Sequence, residues 1–453
     1  EDHVHLYFPT PDEIMNQKRP GGAGLWILVT LVFLGVGVGL GMLLTNIQQR
    51  KDEALMSPSL VVEIPEGELD ASVWGRNFPR EYGRFLKMEE DYGRTLFGGS
   101  TPYSKIQEKP FLKKAWAGYA FAIDYNEERG HAYALQDQKE TRRTTERSQP
   151  GACANCHAGE APQLIQELGW ERFNSMPYDS LRPMLHTGGT CNDCHDSRTM
   201  DPRISRPAFL NAMEARGVDL ARATRQVMRT YVCAQCHVEY YFAGPDKLLT
   251  FPWTKGLSVD SIDAYYTEIQ FSDWTHAETG NGVLKMQHPE FETFSSSLHY
   301  ASGVACADCH MPYTRDGGVK ISDHWIRSPV TNVSNACQTC HKIPEADLVD
   351  RIENIQRKTK EMLSLAEAAI SDAIDAIVAA RGAGARDAAL AEANRLHRSA
   401  QMRWDFVDAE NSMGFHSPQE AARILTHAVD LARQSQMAAR TAMAAPESQD
   451  RNQ

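Results

Sequence analysis

The sequence predicts a mainly α-helical chain with little β structure: one membrane-spanning helix, then a region of short helices, then long C-terminal helices. Three observations predict this. Leu25 to Leu44 reads LWILVTLVFLGVGVGLGMLL, an uncharged run of the about 20 residues that cross a bilayer as a helix. Between Trp74 and about Pro344 the helical patterns are short and interrupted by glycine and proline. Beyond Pro344, Leu348, Ile352, Ile355, Met362, Ala366, Ile370, Ile374 and Ile377 recur with a helical period, as on one face of a long helix.

In chain order, residues 1–23 read as a polar cytoplasmic stub carrying Pro9, Pro11 and Pro20. Residues 24–47 are the transmembrane anchor and 48–73 a Pro- and Glu-containing linker. Lys18 and Arg19 precede the span and Arg50 and Lys51 follow it, so flanking charge alone leaves its orientation tied. The length of the run, with no clean A-x-A site after it, favours a retained anchor; a cleaved signal peptide is the alternative. Gly35/Gly39 and Gly37/Gly41 form two overlapping G-x-x-x-G pairs, suited to packing on another membrane helix or simply glycine-rich filler. Residues 74–344 form the central domain and 345–445 a helical region, followed by a tail, 446–453. Within 345–445 the first helix stops at Arg381-Gly-Ala-Gly and a second runs from about Arg386 to Asn411. A turn with Gly414 and Pro418 leads to a third helix ending near Ala444. Helices of this length bury a face against each other or against a second subunit.

The 453 residues carry 47 Lys and Arg against 59 Asp and Glu, a net charge of −12 that argues against a nucleic-acid partner. Hydrophobic residues at 42% exclude wholesale disorder. Cysteine decides the chemistry. All ten cysteines fall in five C-x-x-C-H motifs: Cys153/Cys156/His157, Cys191/Cys194/His195, Cys233/Cys236/His237, Cys306/Cys309/His310 and Cys337/Cys340/His341. Two thiols at this spacing add to the two vinyl groups of one haem, and the next histidine then lies beneath the iron. Zinc ribbons and redox dithiols share the C-x-x-C spacing, but an odd number of pairs, each followed by histidine, suits neither. The reading is five covalently bound haem c and a multihaem cytochrome c fold with a haem-filled core. Haem c is attached outside the cytoplasm, so the bulk of the chain is expected on the periplasmic side of a bacterial cytoplasmic membrane.

An iron with two histidine ligands is coordinatively full and carries electrons, whereas one with a single protein ligand can transform a substrate. Sixteen histidines less the five of the motifs leave eleven, and His3 and His5 precede the span. The remaining candidates are His131, His186, His276, His288, His299, His324, His397, His416 and His427, enough for five distal positions, so counting leaves wire or enzyme open.

Several stretches resemble the pentahaem, ammonia-forming cytochrome c nitrite reductases, over about Trp116 to Ala444. They are Asp124-Tyr-Asn-Glu-Glu-Arg-Gly-His131, Cys233-Ala-Gln-Cys-His-Val-Glu-Tyr-Tyr-Phe242, Phe271-Ser-Asp-Trp274, Leu284-Lys-Met-Gln-His-Pro-Glu290, Cys309-His-Met-Pro312, Ser322-Asp-His324, Arg403-Trp-Asp405 and His416-Ser-Pro. The resemblance implies that His131 caps the haem of the third motif, His299 the fifth, His324 the second and His416 the fourth. It leaves the haem of Cys153/Cys156 open, lined by Arg143, Tyr240 and His288 at the family's catalytic positions. His186, His276, His397 and His427 match nothing and read as surface or core. A guanidinium suits the anion nitrite, and imidazole and phenol suit proton delivery. The resemblance also implies a calcium ion held by the side chains of Glu239 and Gln287 and the carbonyls of Tyr240 and Lys285, oxygen donors fit for a hard cation; a plain Glu–Lys ion pair is the alternative.

Two features depart from the family's usual pattern: His157 stands where most members carry lysine, and the N-terminal run looks like an anchor. The implied function is dissimilatory six-electron reduction of nitrite to ammonium. Electrons would come from a membrane multihaem quinol dehydrogenase or another donor, and the long C-terminal helices would form a homodimer. The competing readings are a membrane-anchored electron carrier without catalysis, and a reductase acting mainly on hydroxylamine or sulfite.

Overall fold

The computed structural model describes residues 22–55 and 60–444, which divide into two compact units, one ending at Leu60 and one running from Val61. Among its described residues the first contains the helix α1 (Gly22–Leu55), long and apolar enough to cross a membrane. Its large apolar side chains, such as Leu25, Phe33 and Leu44, are exposed. Residues 1–21, which include most of the stub read from the sequence, residues 56–59 of the expected linker and the tail beyond 444 lie outside the described residues.

The second unit begins earlier than the domain start expected at residue 74. Pro65 and Gly67 break the helical period, so this stretch reads as linker, yet its backbone is bonded to the body. Asn77 bonds the amides of Val61 and Val62 and the Val62 carbonyl. Gln163 donates to the Gly67 carbonyl at 2.6 Å and Thr190 to that of Leu69 at 2.8 Å, while Arg203 pairs with Glu66 at 2.6 Å. Backbone groups of an irregular segment are satisfied here by side chains instead of a ladder.

From Ala71 to Ala336 the helices are short, the longest being Arg225–Ala234 and Val259–Glu268. Three antiparallel hairpins supply the β structure: β1 (Tyr241–Ala243) with β2 (Leu248–Thr250), β3 (Trp274–Thr275) with β4 (Gly282–Val283), and β5 (Tyr313–Asp316) with β6 (Val319–Ser322).

Three long helices follow, α2 (Glu345–Gly382), α3 (Asp387–Asp408) and α4 (Pro418–Ala444). Helix α2 starts behind Pro344 with Glu345 and Asp347 in its first turn, where acids complement the helix dipole. It ends in a Schellman motif: Ala385 N–H bonds Ala380 O at 2.9 Å, Gly384 N–H bonds Arg381 O at 3.0 Å, and Gly384 has φ +93°. Helix α4 packs against both others through Ile370, Ile374, Ile377, Leu390, Leu425 and Ala428, all fully buried. Helix α3 is buried on its polar side as well, because that side grips the central region. Gln401 donates to Ala115 O, Arg403 pairs with Asp260 and Asp263, and Asp405 with Lys285. The reversal between α3 and α4 uses two successive left-handed residues, Met413 (φ +53°) and Gly414 (φ +77°). A Cβ on Gly414 would lie 2.5 Å from Thr359 Oγ1 of α2, so only glycine fits that crossing, which presents His416.

Candidate functional site

Each C-x-x-C-H run sits on a helical turn. The amides of His195, His237 and His341 bond the carbonyls of Cys191, Cys233 and Cys337 at 2.9–3.0 Å, which puts first cysteine and histidine on one side of the turn. No disulfide joins any of the ten cysteines, and their order in space follows from their contacts. Cys156 lies against Cys236 and Cys233 against Cys306; Cys194 stands near Cys236 and Cys309 near Cys337. The motifs therefore run first, third, fourth, fifth, with the second beside the third.

The ten cysteines differ in exposure. Nine are partly buried, whereas Cys340 is exposed, together with its neighbours Thr339 and His341. The reason is position: the fifth motif ends the row, and the chain after it, from Lys342 to Asp347, runs along the surface into α2. No further motif packs over this turn, so protein covers it from one side only.

Besides His276 and His397, which belong to no motif and have ring centres 5.8 Å apart, four of the motif histidines face an imidazole from outside the motifs. Ring centres are 5.9 Å apart for His131 and His237, 6.1 Å for His195 and His324, 6.2 Å for His299 and His341, and 6.3 Å for His310 and His416. Metal–imidazole bonds of about 2.0–2.1 Å on opposite sides of one ion separate ring centres by about 6 Å, so each pair fits an iron between its rings. Several rings also have a fixed tautomer. A carbonyl can only accept, so the contacts of His157 Nδ1 with Ala134 O (3.1 Å), His195 Nδ1 with Met200 O (2.9 Å), His310 Nδ1 with Arg327 O (3.3 Å) and His324 Nδ1 with Ser322 O (2.9 Å) put the proton on Nδ1. Nε2 is then the ligand nitrogen, the usual support of a metal-bound histidine. His416 Nδ1 is held by the Glu410 carboxylate.

Among the described residues, no imidazole faces His157 at such a distance. Its neighbourhood holds Arg143, Tyr240 and His288 instead. Arg143 follows Thr141, whose hydroxyl accepts its amide, and Asp124 Oδ2 fixes this turn through Thr141 Oγ1 and the Arg142 amide. The Arg143 guanidinium lies 4.3 Å from the Phe121 ring centre and near Cys153, with no ion pair or hydrogen bond of its own among the described residues. Tyr240 opens the segment into β1; burial, then the neighbouring Cys153 and Cys156, push its phenol well up. The His288 ring centre is 6.4 Å from that of His237, and burial pushes its imidazole down to about 3. Glu128, exposed at its surface, also reaches this pocket, and the neighbouring His157, His288, Arg143 and Lys105 hold its carboxyl below the usual range.

The four residues expected around calcium lie together. Glu239, fully buried, accepts the Gln287 amide at 2.6 Å and the Tyr266 hydroxyl at 2.8 Å, and Gln287 Nε2 donates to Lys285 O at 3.2 Å. Burial pushes the Glu239 carboxyl well up and that of Asp273, which accepts the Lys285 amide, up to about 7. A buried carboxylate with no cationic side chain bonded to it suits a cation beside it. The Lys285 ammonium is elsewhere, 3.0 Å from Asp405 in a pair that is almost wholly buried, so it leaves Glu239 unpaired.

Sequence reasoning missed three residues. Glu128 stands inside a quoted motif, but nothing in the motif distinguishes it from Glu127. Phe121, under Arg143, carries no sequence signal. Arg206, 2% exposed, bonds the carbonyls of Asn155 (2.6 Å) and Ala158 (3.1 Å) at the first motif and Asp193 (2.7 Å) in the second. Gln235, inside the third motif, accepts the Ser205 and Arg206 amides at 3.0 and 3.2 Å and donates to Asp193 O at 2.9 Å. Three motifs thus meet at one residue: the guanidinium of Arg206 reaches the first and second, and its backbone amide the third. Of the histidines that match nothing, His186 and His427 are exposed, and His276 and His397 are buried, His276 donating to Lys114 O at 2.8 Å.

Comparison with known proteins agrees with this geometry. Residues 70–453 match the cytochrome c552 family model. The cytochrome c-552 of Bacteroides fragilis is 38% identical over 94% of this chain and 87% of its own length. That of Porphyromonas gingivalis is 37% identical over 88% and 82%. Among solved structures, the catalytic subunit of the cytochrome c nitrite reductase of Desulfovibrio desulfuricans, described with two calcium sites, superposes with a TM-score of 0.81 at 33% identity, over 84% of this chain and 88% of that one.

Proposed function

Because the chain belongs to the cytochrome c552 family, an oxidoreductase family, we propose that it reduces nitrite to ammonium at the haem of its first motif. The carrying observation is the asymmetry among the five motifs: four histidines have a facing imidazole at 5.9–6.3 Å, and His157 has Arg143, Tyr240 and His288 in its neighbourhood. On this reading the motif cysteines and histidines with His131, His299, His324 and His416 hold five haem c, four of them with two imidazole ligands. Bound haem supplies electrons to the substrate and, at the first motif, an open coordination position.

The remaining chemistry belongs to side chains. Nitrite takes up six electrons and eight protons to give ammonium and two waters, so the pocket must admit an anion and deliver protons. Arg143, whose guanidinium has no ion pair or hydrogen bond among the described residues, draws nitrite in and orients it through paired N–H donors. His288, neutral in its buried position, exchanges protons with substrate oxygens through its free nitrogen, and the Tyr240 phenol, kept protonated, donates a hydrogen bond to them. Glu128, held ionised by its cationic neighbours, balances the charge of the pocket. Glu239, Gln287 and the carbonyls of Tyr240 and Lys285 would hold calcium, which steadies the segments bearing Tyr240 and His288 and adds positive charge to the anion's path.

The contacts among cysteines support an electron route along the fifth, fourth and third motifs to the first, with the second as a branch at the third. Exposure of Cys340 supports the fifth motif as the end at which electrons enter. The electron donor is a membrane multihaem quinol dehydrogenase or a carrier of similar kind. Helix α1 would hold the enzyme on the periplasmic face of the cytoplasmic membrane, and α2 to α4 would pair two copies as a homodimer. Electron paramagnetic resonance of the oxidised holoprotein, with ammonium production from nitrite and a reduced dye, tests this reading. One high-spin haem and ammonium formation are expected; a spectrum of low-spin haems alone, with no ammonium, would leave an electron carrier.

A further inference from the structure

We propose that Phe121 is a positioning residue that holds Arg143 by its ring face, so that the guanidinium keeps its full charge and all its donors for an anionic substrate. This rests on the function proposed above.

Arg143 is half-buried, yet among the described residues its guanidinium has neither a carboxylate nor a hydrogen-bond acceptor. Two acids are near: Asp124 is occupied, its Oδ2 by the Thr141 hydroxyl and the Arg142 amide and its Oδ1 by the Asn126 amide, and Glu128 acts on Arg143 through space with no ion pair or hydrogen bond to it among the described residues. What touches the guanidinium is aromatic, Phe121 at 4.3 Å and Tyr125 at 5.8 Å. The negative face of an aromatic ring attracts a cation without taking up its N–H groups. A carboxylate in the same place would hold Arg143 more tightly and cancel the charge that nitrite needs. Phenylalanine also has no polar group to compete with the substrate.

The support is itself rigid. Phe121 stacks on Tyr119 (5.5 Å, 12°) and meets Trp116 edge-on (5.9 Å, 74°) and Tyr125 at 5.5 Å. The Lys285 ammonium lies 5.3 Å from the Phe121 ring and 4.7 Å from that of fully buried Trp116. Lys285 is fixed in turn by Asp405 of α3. Two cations therefore share one aromatic group: Lys285 is neutralised by its carboxylate, and Arg143 is left free. The conformation of the anion-binding residue thereby depends on the C-terminal helices.

The test uses the holoenzyme. Phe121→Leu keeps an apolar side chain and removes the ring face, and Phe121→Trp keeps a ring. In Phe121→Leu the KM for nitrite is expected to rise about three- to tenfold, as for loss of one cation–π contact, with kcat within about twofold and the KM for neutral hydroxylamine little changed. Phe121→Trp should hold the nitrite KM within about twofold of wild type. Optical titration of the oxidised enzyme with nitrite reads the same loss as a weaker Kd without turnover. A nitrite KM and Kd unchanged in Phe121→Leu, or equal rises for nitrite and hydroxylamine, would overturn the proposal. A wild type that binds nitrite without reducing it would overturn the proposed function, and the Kd comparison would still decide the role of Phe121. A wild type that does not bind nitrite would overturn both.

Discussion

Arg206 is the side chain whose removal should be felt most widely. Its guanidinium is 2% exposed and spans Asn155 O, Ala158 O and Asp193, so Arg206→Met leaves two carbonyls and a largely buried carboxylate without their donor. Removing one partner of a buried pair costs about 3–5 kcal/mol, mostly because the other charge stays behind unpaired. Arg206→Met/Asp193→Asn removes that charge, and the introduced carboxamide oxygen can still accept the Thr190 amide that Asp193 now takes at 2.7 Å. What the double variant still lacks is the pair of donors to the first motif's carbonyls, at about 1 kcal/mol each. Guanidinium unfolding of the holoproteins, followed by far-ultraviolet circular dichroism, should show a loss of about 3–5 kcal/mol for the single variant and about 2 kcal/mol for the double. A single-variant loss below about 1 kcal/mol, or no recovery in the double, would refute the idea that this guanidinium ties the motifs together.

Other expectations follow from the same structure. His397 is fully buried and burial pushes its imidazole down to about 3, so the unfolded chain binds a proton there below about pH 6.5 that the folded chain refuses. Stability should be complete above pH 6.5 and fall by up to about 1.4 kcal/mol per pH unit as the pH drops toward 4; denaturation of His397→Asn should lack this part of the slope. Arg143→Ala should raise the KM for nitrite at least about tenfold, and that for hydroxylamine by much less, if a charged hydrogen-bonded contact is lost; equal effects in steady-state kinetics would show that charge is not its contribution. Chelation should lower nitrite turnover on the order of tenfold or more and calcium should restore it, because Glu239 would be left buried without its cation; full activity in a chelated sample verified by elemental analysis would remove calcium from the site. Ile374→Ala, at a fully buried position of α2, should cost about 2–5 kcal/mol of unfolding free energy.

The features readable in the sequence share a physical origin: each repeats or is covalent. The period from Leu348 to Ile377 belongs to a helix that buries one face against α4, and the uncharged run to Leu44 belongs to α1. The expected helix end near Arg381 lies within a residue of the observed one, since Gly384 imposes a left-handed residue there. The start of the main unit was not legible, because residues 61 to 73 have no period and are held by distant side chains such as Gln163 and Arg203. The same holds at the site. His131, His299, His324 and His416 each face a motif histidine at 5.9–6.3 Å, though His276 and His397, which match no motif, face each other at 5.8 Å. Five identical motifs gave no sign that Cys340 would be the exposed thiol, since burial depends on which turn ends the row. Phe121, Glu128 and Arg206 act through contacts made only after folding, Arg206 across 51 residues to Asn155, and no local pattern announces them.

The position of His416 carries a consequence for how the molecule is made. His310 meets its facing ring only after α2 and α3 have formed and the turn at Gly414 has swung back toward the fourth motif. The other three facing rings belong to the central region and can close before those helices exist. A chain interrupted within α3 would attach its full set of haems and still lack the ligand that caps the fourth. That iron would stand open beside the third, a second reactive centre without arginine or calcium to govern what binds it. On the proposed haem arrangement, capping by His416 would complete the row only in molecules whose C-terminal helices have folded.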